Sequence, residues 1–230
     1  MTIQLTRLQM SKLLYSLKGD SNHSPYSIIE KAINIASKTQ YDVPNFIIKL
    51  NKKRSNVELG LSTNEIVSLA NLCELTALKS TSIQNWVKRD VKELIGSPEL
   101  GKKYSIDQAA MLLIVKDLKQ SFEFEKIRKV LTVVFNTLSD RSDDLISPIA
   151  FYELYAKILS SLDVLPSLII GNDQKLKHFI TKKIDALPKP LPELSIKQWE
   201  TIKNVLVIAV LSVLSSHMQT LAQIHLSEHL

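Results

Sequence analysis

A mainly α-helical fold is what this sequence predicts, and three observations predict it. Glycine and proline are sparse, 5 and 8 in 230 residues, whereas a chain of many short strands needs turn residues in quantity. Aromatic residues make up only 6% of the chain, while Leu, Ile, Lys and Ser abound. Apolar residues recur at helical spacing behind capping boxes. The five glycines (Gly19, Gly60, Gly96, Gly101 and Gly171) and most prolines fall between those periodic segments and act as punctuation.

Three helices are expected before Gly60. The first runs from Thr6 to Leu17. The second starts at Ser24, carries Pro25 at its first position and continues to about Ser37, with Ile28, Ile29, Ala32 and Ile35 as its apolar stripe. The third runs from Val43 to about Lys53 and ends in the basic cluster Lys49, Lys52, Lys53 and Arg54. That cluster is either a solvated face or a phosphate contact.

The capping box Ser62-Thr63-Asn64-Glu65 opens the next helix, with Ile66, Leu69, Ala70 and Cys73 behind it. Another helix is expected from Ser80–Thr81 to Ile95. The segment Gly96-Ser97-Pro98-Glu99-Leu100-Gly101 cannot stay helical, and Lys102-Lys103-Tyr104 follows as a short extended piece. A second box, Ser105 to Gln108, opens a helix over 106–120, and an amphipathic helix follows over 122–137. Beyond Asp140 the expected helices span 148–162, 173–187 and 195–226. The last begins with a third box, Ser195 to Gln198, just after an extended linker with prolines at 188, 190 and 192. The expected division is an N-terminal helical region at 1–60, a central domain at 61–137 and an all-helical region at 138–230 for dimerisation or sensing.

Net charge is +6, unevenly spread. Residues 1–60 hold 9 Lys+Arg against 4 Asp+Glu, net +5; residues 61–131 hold 11 against 9, net +2; residues 132–230 hold 9 against 10, net −1. The basic balance therefore lies in the first 131 residues, which suits a polyanionic partner there. A single cysteine, Cys73, excludes an internal disulfide and is expected as a buried thiol. Met1–Leu17 lacks a continuous apolar stretch and a small-residue cleavage site, so a cytoplasmic location is expected. The most apolar run, Val205–Leu214, is ten residues, short of the roughly 20 that a bilayer span needs. A core or dimer helix is expected there, and no membrane partner.

The segment from Thr81 to Lys92 carries the functional argument. On a helix, Ile83, Trp86, Val87 and Leu94 share a face that can be buried. Thr81, Gln84, Asn85, Lys88 and Lys92 share the opposite face. Amide side chains can pair with base edges, and cations can meet phosphates. The free N–H groups at the helix start also favour a phosphate. Gly101 permits a tight turn before Lys102, Lys103 and Tyr104. The Tyr104 hydroxyl either meets a phosphate or its ring simply packs in the core.

This order of helix, helix, Gly-bounded Lys-Lys-Tyr-Ser and helix resembles the MerR-type winged helix-turn-helix over about seventy residues. Ile83-Gln84-Asn85-Trp86 falls where that family has Ile-Arg-x-Tyr/Trp, Lys103-Tyr104-Ser105 falls where its wing closes, and Phe122, Phe124 and Ile127 lie on the final helix. The chain also resembles a bacterial family of unknown function with a MerR-like core, through Asn85-Trp86-Val87-Lys88, Lys102-Lys103-Tyr104-Ser105 and Ala109–Leu118. The resemblance implies a small wing flanked by N-terminal helices and a C-terminal helical region. Two departures stand out. The turn Leu75-Thr76-Ala77-Leu78-Lys79 has no glycine and is longer than usual, and Gln84 replaces the usual Arg.

No phosphate-binding or dinucleotide-binding glycine motif and no nucleophile elbow is present. His225-Leu226-Ser227-Glu228-His229 spells an H-x-x-E-H string, read here as a polar tail without a downstream third ligand. His23, His178 and His217 stand apart in sequence. Asp143-Asp144 and Glu123/Glu125 read as acids at helix starts. No enzyme, metal or cofactor is expected. The expected function is a DNA-binding transcription regulator. Gln84 and Asn85 would read bases, and Lys88, Arg89, Lys92, Lys102 and Lys103 would neutralise phosphates. Thr81 and Tyr104 would complete the interface to double-stranded DNA, and the C-terminal helices would form a homodimer. The alternative is a protein-interaction or ligand-sensing helical module that has kept the winged helix without binding DNA.

Overall fold

The protein is described from a computed structural model over residues 3–33, 42–51, 58–136, 140–162 and 173–229. The expected helix end near Ser37 with Ile35, the cations Lys52, Lys53 and Arg54, and Gly171 lie outside the described residues. The architecture is mainly helical, with isolated backbone pairs in place of a sheet among the described residues. Two compact units divide within one helix, at residues 113 and 114.

In the first unit, α1 (Arg7–Lys18), α2 (Pro25–Ala32) and α3 (Asn45–Asn51) follow the expected order. Thr6 and Gln9 form a full capping box at α1, and Gly19 ends it with φ 94°. Ser24 caps α2, with Pro25 in its first turn. Helix α4 (Thr63–Ala70) has the expected Ser62/Glu65 box. A Ser or Thr cap of this kind is worth about 1 kcal/mol. Leu5, Met10, Leu13, Leu14, Ile29 and Ile66 are completely or almost completely buried and anchor the core of this unit. Cys73 is buried as expected. It pairs in parallel with Leu5, through Leu5 N–H to Leu72 O at 2.6 Å and Glu74 N–H to Leu5 O at 2.8 Å. The nearly buried Arg7 completes this joint, 3.4 Å from Glu74.

The single regular helix expected from Ser80 to Ile95 is interrupted. It consists of α5 (Ser80–Asn85), a π turn at Trp86–Asp90, and α6 (Lys92–Ile95) after Val91 breaks the run at φ −132°. The cause is legible in the side chains. Continued as an α-helix, the face of Ile83, Trp86 and Val87 would next bury Asp90. One extra residue in the turn, closed by Val91 N–H to Trp86 O at 2.9 Å, rotates Val91 into the core instead. Val91 is fully buried, while Asp90 is only partly so.

Helix α7 (Ile106–Lys119) starts in the first unit. Ser105 and Gln108 form its expected box, with Gln108 N–H to Ser105 Oγ at 3.2 Å and Ser105 N–H to Gln108 Oε1 at 3.0 Å. The Gln108 amide is completely buried and does more than cap. Its Nε2 donates to Ile95 O and to Ser97 O, each at 2.7 Å, and Oε1 also accepts from Glu99 N–H at 3.3 Å. Lys18 at the end of α1 reaches Asp107 at 2.7 Å. Burial alone would lower the Lys18 pKa, but the Asp107 carboxylate outweighs it and raises the group.

In the second unit, α8 (Phe124–Thr132), α9 (Pro148–Ser160), α10 (Asp173–Asp185) and α11 (Ile196–His229) match the expected helices with shifted ends. The third box is present, with Ser195 N–H to Gln198 Oε1 at 2.9 Å and Gln198 N–H to Ser195 Oγ at 3.2 Å. Helix α11 packs on α9 and α10. Phe135, Phe151, Tyr155 and Tyr152 form a chain of edge-to-face contacts. Tyr155 donates its hydroxyl to buried Asp117 at 3.1 Å, and Ser212 of α11 donates to Asp117 O at 2.8 Å. The ten-residue run 205–214 lies inside a 34-residue helix that is long and apolar enough to cross a membrane by length and composition. Its first half buries Trp199, Ile202, Leu206 and Val210 against protein, as a core helix does.

Replacing Gln108 with Leu leaves two carbonyls and two N–H groups without their partner. Each such buried group costs about 1–3 kcal/mol. Urea unfolding of Gln108→Leu is expected to show a loss of about 3 kcal/mol or more; an unchanged midpoint would mean that the amide is not the joint described.

Candidate nucleic-acid interface

The region around α5 is built by polar clamps on a turn that lacks glycine. Leu75 takes the left-handed conformation, φ 52°, that a glycine would take without strain. That costs about 1–2 kcal/mol. Asn71 offsets it by spanning the turn, accepting from Leu78 N–H at 2.7 Å and donating to Leu78 O at 3.0 Å. Ser80 Oγ donates to Asn64 Oδ1 at 3.1 Å and ties the start of α5 to α4. The cap position Lys79 makes no side-chain bond to the first N–H groups of α5, and the first turn holds no acid.

Every residue expected to face a duplex from this segment is exposed: Thr81, Gln84, Asn85, Lys88, Arg89 and Lys92. Opposite them, Ile83, Trp86 and Val87 are buried. Thr81, Gln84, Asn85 and Lys88 therefore stand on one polar face of successive turns, as the periodicity requires. Lys92 belongs to α6, beyond the break at Val91, so the straight continuation of that face from Lys88 to Lys92 is not formed. Leu94 is buried as expected, but through the register that the π turn sets.

The hairpin is minimal. Leu100 and Lys103 exchange both backbone bonds, at 3.0 and 3.1 Å, around Gly101 and Lys102. Gly101 has φ 69°, which opens the two-residue turn. Leu61 and Tyr104 exchange a second pair, both at 2.8 Å, so the hairpin is attached to the segment entering α4. Gly60 makes that approach possible, since a Cβ there would lie 2.7 Å from Lys103 Cβ. Lys102 is exposed, and Tyr104 is half-buried, with burial pushing its hydroxyl pKa up.

Lys103 is engaged rather than free. Its Nζ lies 3.3 Å from Glu65 Oε2, with Lys103 47% and Glu65 28% exposed. Burial pushes the Glu65 pKa up, but the Ser62 hydrogen bonds and Lys103 outweigh it and hold the carboxyl below its ordinary range. Sequence spacing alone did not reveal this pair, which joins residues 38 positions apart. Beside it, a groove of about 770 Å³ opens along α3 and α4, lined by Phe46, Leu50, Leu59, Ser68 and these two charges.

The family described as "Domain of unknown function (DUF1836)" matches residues 39–155, a span that holds α4, α5, the hairpin and α7. A relative from Bacillus subtilis (strain 168), described as "Uncharacterized protein YkrK", is 49% identical over 224 residues, which is 95% of each chain. No solved structure matches.

A carboxylate whose folded pKa is depressed adds stability above its ordinary value of 4.5, and that stability is lost as pH falls through the lower folded value. Glu65→Gln keeps a residue able to cap but removes the charge. Urea midpoints are expected to favour the unaltered protein at pH 7, with the gap closing as the solution is acidified below 4.5. A gap that stays constant down to pH 2 would show that the charge contributes nothing.

Proposed function

Since the chain belongs to the bacterial family described as a domain of unknown function (DUF1836), a kinship that names no activity, we propose from its own residues that it is a DNA-binding regulator. Helices α4 and α5, with the hairpin at Leu100–Lys103, act as a MerR-like winged helix-turn-helix. One observation carries this reading: an exposed face of Thr81, Gln84, Asn85 and Lys88 on a helix start without acids, backed by buried Ile83, Trp86 and Val87. Gln84 and Asn85 face base edges; amides of this type pair with adenine in the major groove. Lys88, Arg89, Lys92 and Lys102 meet phosphates, and Lys103 does so when it exchanges Glu65 for a phosphate oxygen. Tyr104, half-buried beside the wing, orients it and offers its hydroxyl. The protein works in the cytoplasm, where its DNA is.

A second copy completes the proposal. Along α11, Leu211, Leu214, Met218 and Leu221 recur every three or four residues and form one stripe. It lies on a different side of the helix from Trp199, Ile202, Leu206 and Val213, which are buried in the unit's own core. Leu211, Met218 and Leu221 are 36%, 49% and 55% exposed. No Asp, Glu, Lys or Arg occurs from residue 204 to 227, so two such helices pair without like-charge repulsion. Helix-turn-helix proteins commonly bind two half-sites as dimers.

A second reading, a module that docks a ligand or peptide, is favoured by the groove of about 770 Å³ along α3 and α4. The two separate on duplex DNA. Titration of random duplex at rising salt is expected to give a log–log slope of about −4, from four or five phosphate contacts. Selection from a random library should yield a preferred sequence that Gln84→Ala/Asn85→Ala loses. Absence of binding at low salt would sink the DNA reading.

For the stripe, Met218→Asp/Leu221→Asp is expected to turn a dimer into a monomer in sedimentation equilibrium with helical content retained. A protein that is already monomeric at high concentration would remove the pairing proposal.

A further inference from the structure

The last two turns of α11 bring together a set of side chains that DNA binding does not use. The helix continues through His229, so His225 and His229 lie one turn apart on one side, and Glu228 lies three residues after His225. One ligand atom from each of the three falls within 4.8 Å of the others, and all three residues are exposed. The two imidazole centroids are 4.2 Å apart, tilted by 45°.

A second observation distinguishes this set from a polar helix end. His229 Nδ1 lies 2.8 Å from the carbonyl oxygen of His225. A carbonyl can only accept, so Nδ1 is the nitrogen that donates, and in the neutral ring Nε2 is then the one that offers a lone pair. Metal-binding histidines are commonly oriented in this way, with one ring nitrogen donating to a carbonyl and the other facing the ion. The helix C-terminus adds a favourable potential for a cation, and no Lys or Arg lies on α11 after Lys203.

We propose that His225, Glu228 and His229 bind a divalent transition-metal ion, zinc being the reference ion. Two imidazoles and a carboxylate suit zinc, nickel or copper, whereas calcium and magnesium select all-oxygen sites. Glu228 is itself the third protein ligand, so the site needs no downstream residue, and water fills the remaining coordination. The ion joins the two last turns of α11 and holds them against fraying. The inference stands on these residues alone and does not depend on DNA binding.

The test uses the full untagged chain with zinc chloride, followed by calorimetry and by hydrogen exchange over residues 222–229. One ion per chain is expected, with slowed exchange confined to that segment. His225→Ala and His229→Ala should each weaken binding about tenfold or more. Glu228→Gln should weaken it less than either, and His23→Ala should leave it unchanged. Circular dichroism checks that each variant keeps its helices. The proposal is overturned if the unaltered protein shows no zinc binding, if His225→Ala/His229→Ala binds as before, or if Glu228→Gln has no effect.

Discussion

One buried amide holds the candidate reading surface together. Gln108 is completely removed from solvent, and both ends of its side chain are used: two carbonyls at the end of α6 and just beyond accept from Nε2, and two N–H groups donate to Oε1. Those four backbone groups lie between residues 95 and 105, where helix geometry has ended and no sheet ladder exists. Buried backbone groups need partners. A single side chain supplies them, and so fixes where α6 stops, where the hairpin begins and where α7 starts. The hairpin has one backbone pair of its own, Leu100 with Lys103, and one with Leu61, so its position depends on this amide and on the close passage at Gly60.

Around that joint the charges are arranged sparingly. Exposed cations stand at 88, 89, 92 and 102, while Lys103 is held by a carboxylate that also caps α4. A paired cation still neutralises a phosphate, but only after it leaves Glu65, so part of its attraction is spent in the exchange. This makes the proposed affinity modest and dependent on the amides. The turn before α5 has the same economy: the strain at Leu75 is balanced by two bonds from Asn71.

Much of the fold could be read directly. The boxes at Ser62, Ser105 and Ser195 mark helix starts to the residue, because the hydroxyl and the side chain three positions on satisfy each other's N–H locally. Exposure of Thr81, Gln84, Asn85 and Lys88 followed from periodicity alone. What was not legible depends on tertiary contact or on broken periodicity. The Glu65–Lys103 pair and the inner bonds of Gln108 join distant segments. The left-handed Leu75 had one indirect signal, the missing glycine. The π turn has another, an acid at position 90 in line with Ile83 and Trp86. The length of α11, by contrast, was legible within a few residues, 195–226 expected against Ile196–His229, because neutral polar residues after Leu214 continue a helix much as apolar ones do.

The π turn also says something about how such chains can be compared. It holds one residue more than the α-helix around it, and that residue exists to turn Asp90 aside and bring in Val91. A homologue with an apolar residue at the place of Asp90 has no need of the extra residue and can run straight. Correctly aligned, the two would differ by a gap inside a helix, a position where alignments are usually forced to stay continuous. Closing that gap would shift every position from Val91 to Gly96 by one and set exposed residues against buried ones.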